Sequence, residues 1–356
     1  MVGTGALARS ICYSLAVLCA VPVRVEVSGR DQRRAEEVCF VAGTRAVTAG
    51  RPVRFVPHVG DLESVLAAPD LDGVLVCASS QSPWEATTRP SAWTALLRRA
   101  GFGLALPFQA EAALRAGRLL ATRTPRPWLL NGCFPDAVNP LLAALGVPVL
   151  AGFGNVGLLA ASAQAALGLP DQSRLRLLAH HVHLHAPATG VAEALAWVDD
   201  EPVADPGALL AAQRATDRAE LNQITGHTAA LLLTALLAGT PLDTHLPGPH
   251  GRPGGYPVRL HGTDLTLRLP PGLGEPQVVA FNERAAMADG VTVDRATGGG
   301  GRVRFGPAAA EELAGLAPDL AAGFPVGDLD SATAELGALR DRLRAEPAGR
   351  LQGVTG

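Results

Sequence analysis

Apolar positions change their period along this chain in a regular way. Ile11, Leu15, Leu18 and Cys19 share one face, which predicts a helix from about residue 9 to 19. Residues 23–27 (Val23-Arg24-Val25-Glu26-Val27) alternate as a half-buried strand does. A helix over 31–39 follows, charged at Arg33, Arg34, Glu36 and Glu37, then a strand over 53–56 and a helical turn over 62–67. Residues 71–77 are almost continuously apolar, the mark of a parallel strand covered on both faces. A polar loop spans 78–90. Helices over 91–99 and 108–121 and a strand over 128–131 complete the series. This alternation predicts an α/β fold whose residues 1–148 form a doubly wound, Rossmann-type parallel sheet.

Beyond residue 147 the pattern breaks. Short apolar stretches are separated by Gly-rich turns, among them 252–255 and 298–301. Helices are predicted over 160–167 and over 221–237, the second stopped by Gly239. Alternation at Val258, Leu260, Leu265, Leu267 and Leu269 predicts antiparallel strands. Leu336, Leu339 and Leu343 form the stripe of a last helix over 331–344. An α+β substrate domain is expected over 149–345, and a flexible tail over 346–356.

Chemistry enters at the amino end. Gly3-Thr4-Gly5-Ala6-Leu7-Ala8 reads G-x-G-x-x-A at the head of the first helix. Gly3 permits the tight turn, Gly5 lets backbone approach a pyrophosphate, and Ala8 allows close helix–strand packing. A dinucleotide site is expected at Gly3, Gly5, Ala6, Leu7, Ser28, Arg30, Ala78 and Asn131. The strand at 23–27 ends in Ser28-Gly29-Arg30-Asp31, a small polar group and a cation in place of the acid that grips an NAD ribose. The expected cofactor is NADP, with NAD as the alternative. Only Met1 and Val2 precede Gly3, whereas a parallel strand needs about five residues, so a natural start further upstream is expected. Arg9 follows the Gly turn instead of leading the chain, which favours a Rossmann helix over a signal peptide.

The remaining composition narrows the class. Of the 356 residues 48% are hydrophobic and 18% charged, with a net charge of −3 and no basic block, so nucleic acid is not an expected partner. Five cysteines without C-x-x-C spacing read as free thiols in a reducing compartment. No membrane association is expected, and the location is expected to be cytoplasmic.

Several landmarks together resemble the lactate/malate dehydrogenase superfamily over residues 1–345. They are the Gly3-Thr4-Gly5 turn, the polar loop after the 71–77 strand, and Asn131-Gly132-Cys133-Phe134-Pro135-Asp136, similar to the family's Asn-Pro-x-Asp turn. Gly152-Phe153-Gly154-Asn155-Val156, Leu178-Ala179-His180-His181-Val182 and Thr225-Gly226-His227-Thr228 follow, the last resembling a Gly-x-Thr that opens a long helix. The resemblance implies a hydride-transfer enzyme, homodimeric, acting on a small molecule, with His181 as acid/base and Asn131 and Asn155 orienting carbonyl and nicotinamide. It also implies an Asp that charges the His and an Arg that grips a 2-keto acid, both from residues 157–162. That segment, Gly-Leu-Leu-Ala-Ala-Ser, has neither. The expected substrate is therefore a carbonyl, alcohol or imine other than a simple 2-keto acid, with Arg89, Asp136, His183 and His227 as further candidates to touch it. On a strand His181, His183 and His185 would share one face. This leaves open a metal-assisted enzyme like the NAD-dependent glycosidases, with His181 and His183 as weak ligands and otherwise no metal site. A third alternative is a catalytically weak NADP(H)-binding descendant.

Overall fold

The computed structural model describes residues 1–58, 60–294 and 300–348. One parallel sheet organises the first half. Its strands are β1 (Val23–Ser28), β2 (Val53–His58), β3 (Gly73–Val76), β4 (Trp128–Asn131) and β5 (Ala151–Gly152). β1 pairs with β2, and β3–β4–β5 pair in that order, all parallel. The seam between these groups is closed by the first residues of the chain: Val2 bridges in parallel to both Ser28 and Val76. Met1 O accepts Ser28 N–H at 2.8 Å, and Gly3 N–H donates to Ser28 O at 2.7 Å. The spatial order β2–β1–Val2–β3–β4–β5 is doubly wound and reverses at Val2. Ligands of such sheets bind outside the carboxyl ends of the strands at that reversal.

The helices of this half are α1 (Ala6–Leu18), α2 (Gln32–Thr48), α3 (Leu62–Leu66), α4 (Glu85–Thr88), α5 (Ala92–Ala100), α6 (Leu106–Ala121) and α7 (Pro135–Ala144). α2 runs nine residues past its predicted end at 39. Its buried stripe continues through Ala42 and Ala46, small residues with no strong apolar signal.

After α8 (Asn155–Ala166) come β6 (Leu175–Leu178), β7 (Leu195–Val198), β8 (Glu201–Pro202), α9 (Pro206–Ala215) and α10 (Arg218–Ala238). β9 (Leu242–Pro247), β10 (Gly255–His261) and β11 (Asp264–Leu267) form an antiparallel sheet. The predicted alternation is visible there as cross-strand pairs Val258–Leu267 and Leu260–Leu265. α10 has the length and apolarity of a membrane span by composition, yet half of it is buried in the protein. It lies on α1, where a side chain at Gly226 would strike Ser10. Thr225-Gly226 thus sits inside α10 and does not open it, a correction to the resemblance: the glycine serves close helix packing.

The last elements are α11 (Glu275–Ala288), β12 (Val291–Val293), β13 (Arg302–Phe305), α12 (Pro307–Ala314), β14 (Phe324–Pro325) and α13 (Leu329–Arg344). Val291, Val303, Phe305, Leu336, Leu339 and Leu343 are buried in one core with Trp93, Leu96, Leu106, Phe108 and Leu142 of α5–α7. The described residues from 291 onward, expected in a second unit, therefore contribute to the core of the first. The expected tail lies outside the described residues from 349 on, as do residues 295–299, which include part of the predicted Gly run.

Candidate active site

At the sheet reversal, Gly3 adopts φ +122°, and a Cβ there would meet Cys77 O at 2.8 Å. Only glycine fits. A Cβ on Gly5 would meet nothing within 4 Å, so its backbone faces open space. Gly5 is also the N-cap of α1, with no side-chain cap and no acid in the first turn, which leaves the helix amides free for an anion. Beside it lies a cavity of about 190 Å3 lined by Thr4, Gly5, Arg9, Arg34 and Glu37. Ala6 is exposed and Leu7 partly buried. Ser28 is buried and Arg30 exposed, so of that pair only the guanidinium is free to meet a phosphate. Ala78 O accepts the Cys133 thiol proton at 3.3 Å, tying the end of β3 to the turn after β4. These features fit a dinucleotide: an uncapped helix end, an open glycine and nearby cations.

The second cluster gathers where β6 runs into a short 3₁₀ turn, His181–Leu184. The turn removes the alternation expected of His181, His183 and His185 on a strand. His180 N–H donates to His183 Nδ1 at 2.8 Å, and His183 Nε2–H donates to Ala192 O at 3.1 Å. With both ring nitrogens engaged, His183 is a buried turn-former and not a metal ligand or substrate contact. Burial pushes its pKa down to about 4. His185 is exposed.

His181 is different. Its Nδ1–H donates to Asp289 Oδ2 at 2.8 Å, and its backbone N–H donates to Asp136 Oδ1 at 3.1 Å. Asn155 Nδ2–H donates to the other Asp136 oxygen. Phe102 stacks on the imidazole at 5.4 Å between centroids, and Phe134 meets it edge-on at the same distance. Nε2 has no protein partner among the described residues. Burial disfavours charge on this ring, but the Asp289 carboxylate beside it, and then Asp136, outweigh burial and raise its pKa above the usual histidine value; Arg218 opposes them. The arrangement is a half-buried imidazole with fixed tautomer, an adjacent carboxylate and one free nitrogen, which is what a proton-transfer group requires.

Asp289 escaped the sequence reading. It is the residue after α11, 108 positions from His181, and supplies the carboxylate that residues 157–162 lack. The Asp-Gly pair ending a helix is its only local signal, and that pattern marks ordinary helix stops equally well.

Asn131 also needs correction. It is fully buried; its Nδ2 donates to Cys133 O and to Asn139 Oδ1, both at 3.0 Å, and its Oδ1 accepts Cys133 N–H at 2.9 Å. Its side-chain polar atoms are engaged within the turn. The turn holds Phe134 at φ 44°, the left-handed region, at a cost of about 1–2 kcal/mol for a bulky residue. That strained backbone carries the ring that walls His181. Arg89 and His227 are exposed and share no hydrogen bond or ion pair with the His181 cluster. Among the described residues no group of three or more His, Cys, Asp or Glu gathers as a metal site.

No family model and no curated protein matches this sequence. Solved structures do. The minor L-lactate dehydrogenase of Enterococcus mundtii, in its ligands-bound form, superposes with a TM-score of 0.50 at 14% identity, over 97% of this chain and 98% of that one. The fold is the lactate/malate dehydrogenase fold. The malate dehydrogenase of Aeropyrum pernix gives 0.48 at 14% identity, over 80% of this chain and 93% of its own. The lactate dehydrogenase of Eimeria maxima with NADH and oxamate gives 0.49 at 14% identity, over 79% and 89%.

Proposed function

We propose that this protein is a nicotinamide-dependent oxidoreductase, NADP-using in preference to NAD, that moves a hydride between cofactor and an uncharged carbonyl, alcohol or imine. The observation that carries the reading is the His181–Asp289 pair, set on a dinucleotide-binding fold whose Gly5 faces open space. Gly3, Gly5 and the amides of α1 hold the pyrophosphate; Arg30, Arg9 and Arg34 favour an additional phosphate. The bound nicotinamide supplies or accepts the hydride.

His181 performs the proton step. Its free Nε2 gives a proton to the substrate oxygen or nitrogen during reduction and takes it back during oxidation. Asp289 fixes the tautomer by accepting the Nδ1 proton and stabilises the imidazolium. Asp136 sets the backbone beneath the ring through His181 N–H, while Asn155 holds Asp136. Phe102 and Phe134 cover the ring and exclude water, which strengthens these interactions. Two carboxylates against one histidine make the site a poor host for a 2-keto acid. Asp289 answers one of the two motives for a catalytically weak descendant, the missing Asp, and leaves the missing Arg. Homodimerisation and a cytoplasmic location remain part of the proposal.

Calorimetric titration with NADPH and NADH tests it. Micromolar NADPH binding, weaker NADH binding and a neutral-carbonyl reductase activity abolished by His181→Ala are expected. Absence of binding by either cofactor rejects it.

A further inference from the structure

His180 precedes the proton-transfer residue and is completely buried. Val182 N–H donates to its Nδ1 at 3.4 Å. A nitrogen that accepts this bond bears no proton, so the neutral ring carries its hydrogen on Nε2. The same Nδ1 lies 3.6 Å from Asp289 Oδ2, beyond hydrogen-bond range, which leaves that carboxylate to His181. On the far edge of the ring, Nε2 is buried with no hydrogen-bond partner among the described residues. Folded proteins seldom leave a buried N–H unpaired, and the exceptions call for a functional or solvent explanation. Burial lowers the His180 pKa against the pull of Asp136 and then Asp289, so the ring is neutral near pH 7. A neutral donor with two carboxylates close by suits an uncharged oxygen and repels an anionic one.

We propose that His180 is a substrate-binding residue whose Nε2–H donates to an oxygen of an uncharged substrate held beside His181. This rests on the oxidoreductase reading for the identity of the occupant, though the unfilled donor does not. Two variants separate the ring's functions. His180→Asn retains an acceptor near Nδ1 for Val182 and deletes the Nε2 donor; His180→Gln restores an N–H at the Nε2 position.

The three proteins are compared by urea unfolding without ligand, and by titration of acetamide and of oxamate into NADPH-loaded protein, followed by nicotinamide fluorescence. Both unliganded variants are expected to unfold cooperatively, at a somewhat lower urea concentration because a different side chain leaves buried volume unfilled. The acetamide affinity of His180→Asn is expected to fall about tenfold or more, with recovery in His180→Gln and weak oxamate binding throughout. Unchanged acetamide affinity in the folded His180→Asn protein overturns the proposal, since Nε2–H then has no part in binding. If no nicotinamide cofactor binds, the oxidoreductase reading fails by itself. The acetamide titration is then made on the free protein, where indifference to His180→Asn overturns this proposal too.

Discussion

Asp289 lies 2.8 Å from His181 Nδ1, and the proposed proton step would take its pH dependence from that coupling. A histidine with a raised pKa keeps its proton to higher pH. The proposed carbonyl reduction, with the imidazolium as acid, should be at its full rate below the ordinary value of 6.5 and decline as pH rises through the raised value. Asp289→Asn removes the stronger of the two favourable charges and leaves burial in place. The decline should then move to lower pH, and kcat should drop by about 10²–10⁴-fold, the range of general acid catalysis. A pH profile of kcat for both proteins checks this; a decline that stays in place rejects Asp289 as the partner. His181 was legible from its neighbours in the chain, but Asp289 was not. The pairing is made by tertiary structure, 108 residues apart, and no local periodicity encodes it. Asn131 shows the opposite failure, since its motif was visible while its saturation by Cys133 and Asn139 was not.

At the scale of elements, the amino end of α1 separates two uses of glycine. Gly3→Ala forces a Cβ onto Cys77 O at positive φ and should destabilise the protein by at least about 1–2 kcal/mol. Gly5→Ala meets open space at φ −74° and should leave the urea midpoint nearly unchanged, while weakening cofactor affinity in calorimetry. Equal cofactor affinity for Gly5→Ala would place the pyrophosphate elsewhere. The loop after β3 offers another element-scale test. Its sequence is polar and rich in Ser and Thr, yet Gln81 and Glu85 are buried in it. Gln81 Oε1 accepts Trp93 Nε1–H at 2.9 Å, and Arg344 of α13 grips both oxygens of Glu85, with Nε at 2.7 Å. Arg340 lies over the Phe108 ring at 4.1 Å. Glu85→Gln breaks the charge pair and leaves Arg344 a partial path to solvent, so a loss of about 1–3 kcal/mol is expected. Cleavage after Trp84 by chymotrypsin should speed up in parallel; unchanged cleavage means that the clamp does not restrain the loop. Long periodic elements such as α10 were legible. α9, α11 and α12 were not, since each has Pro in its first turn and a mixed surface; Pro there is compatible with a helix start but resembles a breaker in sequence.

For the whole molecule, the decisive fact is that the end of the chain completes the core of its beginning. Parallel pairing runs on to β5 at 151–152, past the change of pattern near residue 147, and antiparallel pairing begins with β6; hydrophobic period carries no information about which distant element covers an apolar face. Leu336, Leu339 and Leu343 of α13, with Val291, Val303 and Phe305, fill the space against α5, α6 and α7. Burying a large apolar side chain is worth about 1.5–3 kcal/mol. Six of them together rival the entire net stability of a domain, about 5–15 kcal/mol. A fragment ending at residue 148 should therefore lack a cooperative thermal transition and bind a hydrophobic dye, even though it contains every strand of the parallel sheet except β5. Removal of α13, by ending the chain at residue 328, should likewise abolish the cooperative thermal transition and promote dye binding. If the 1–148 fragment instead unfolds cooperatively and binds NADPH, the dinucleotide site is energetically independent of the carboxyl end, and the shared core is an accessory to a self-sufficient sheet.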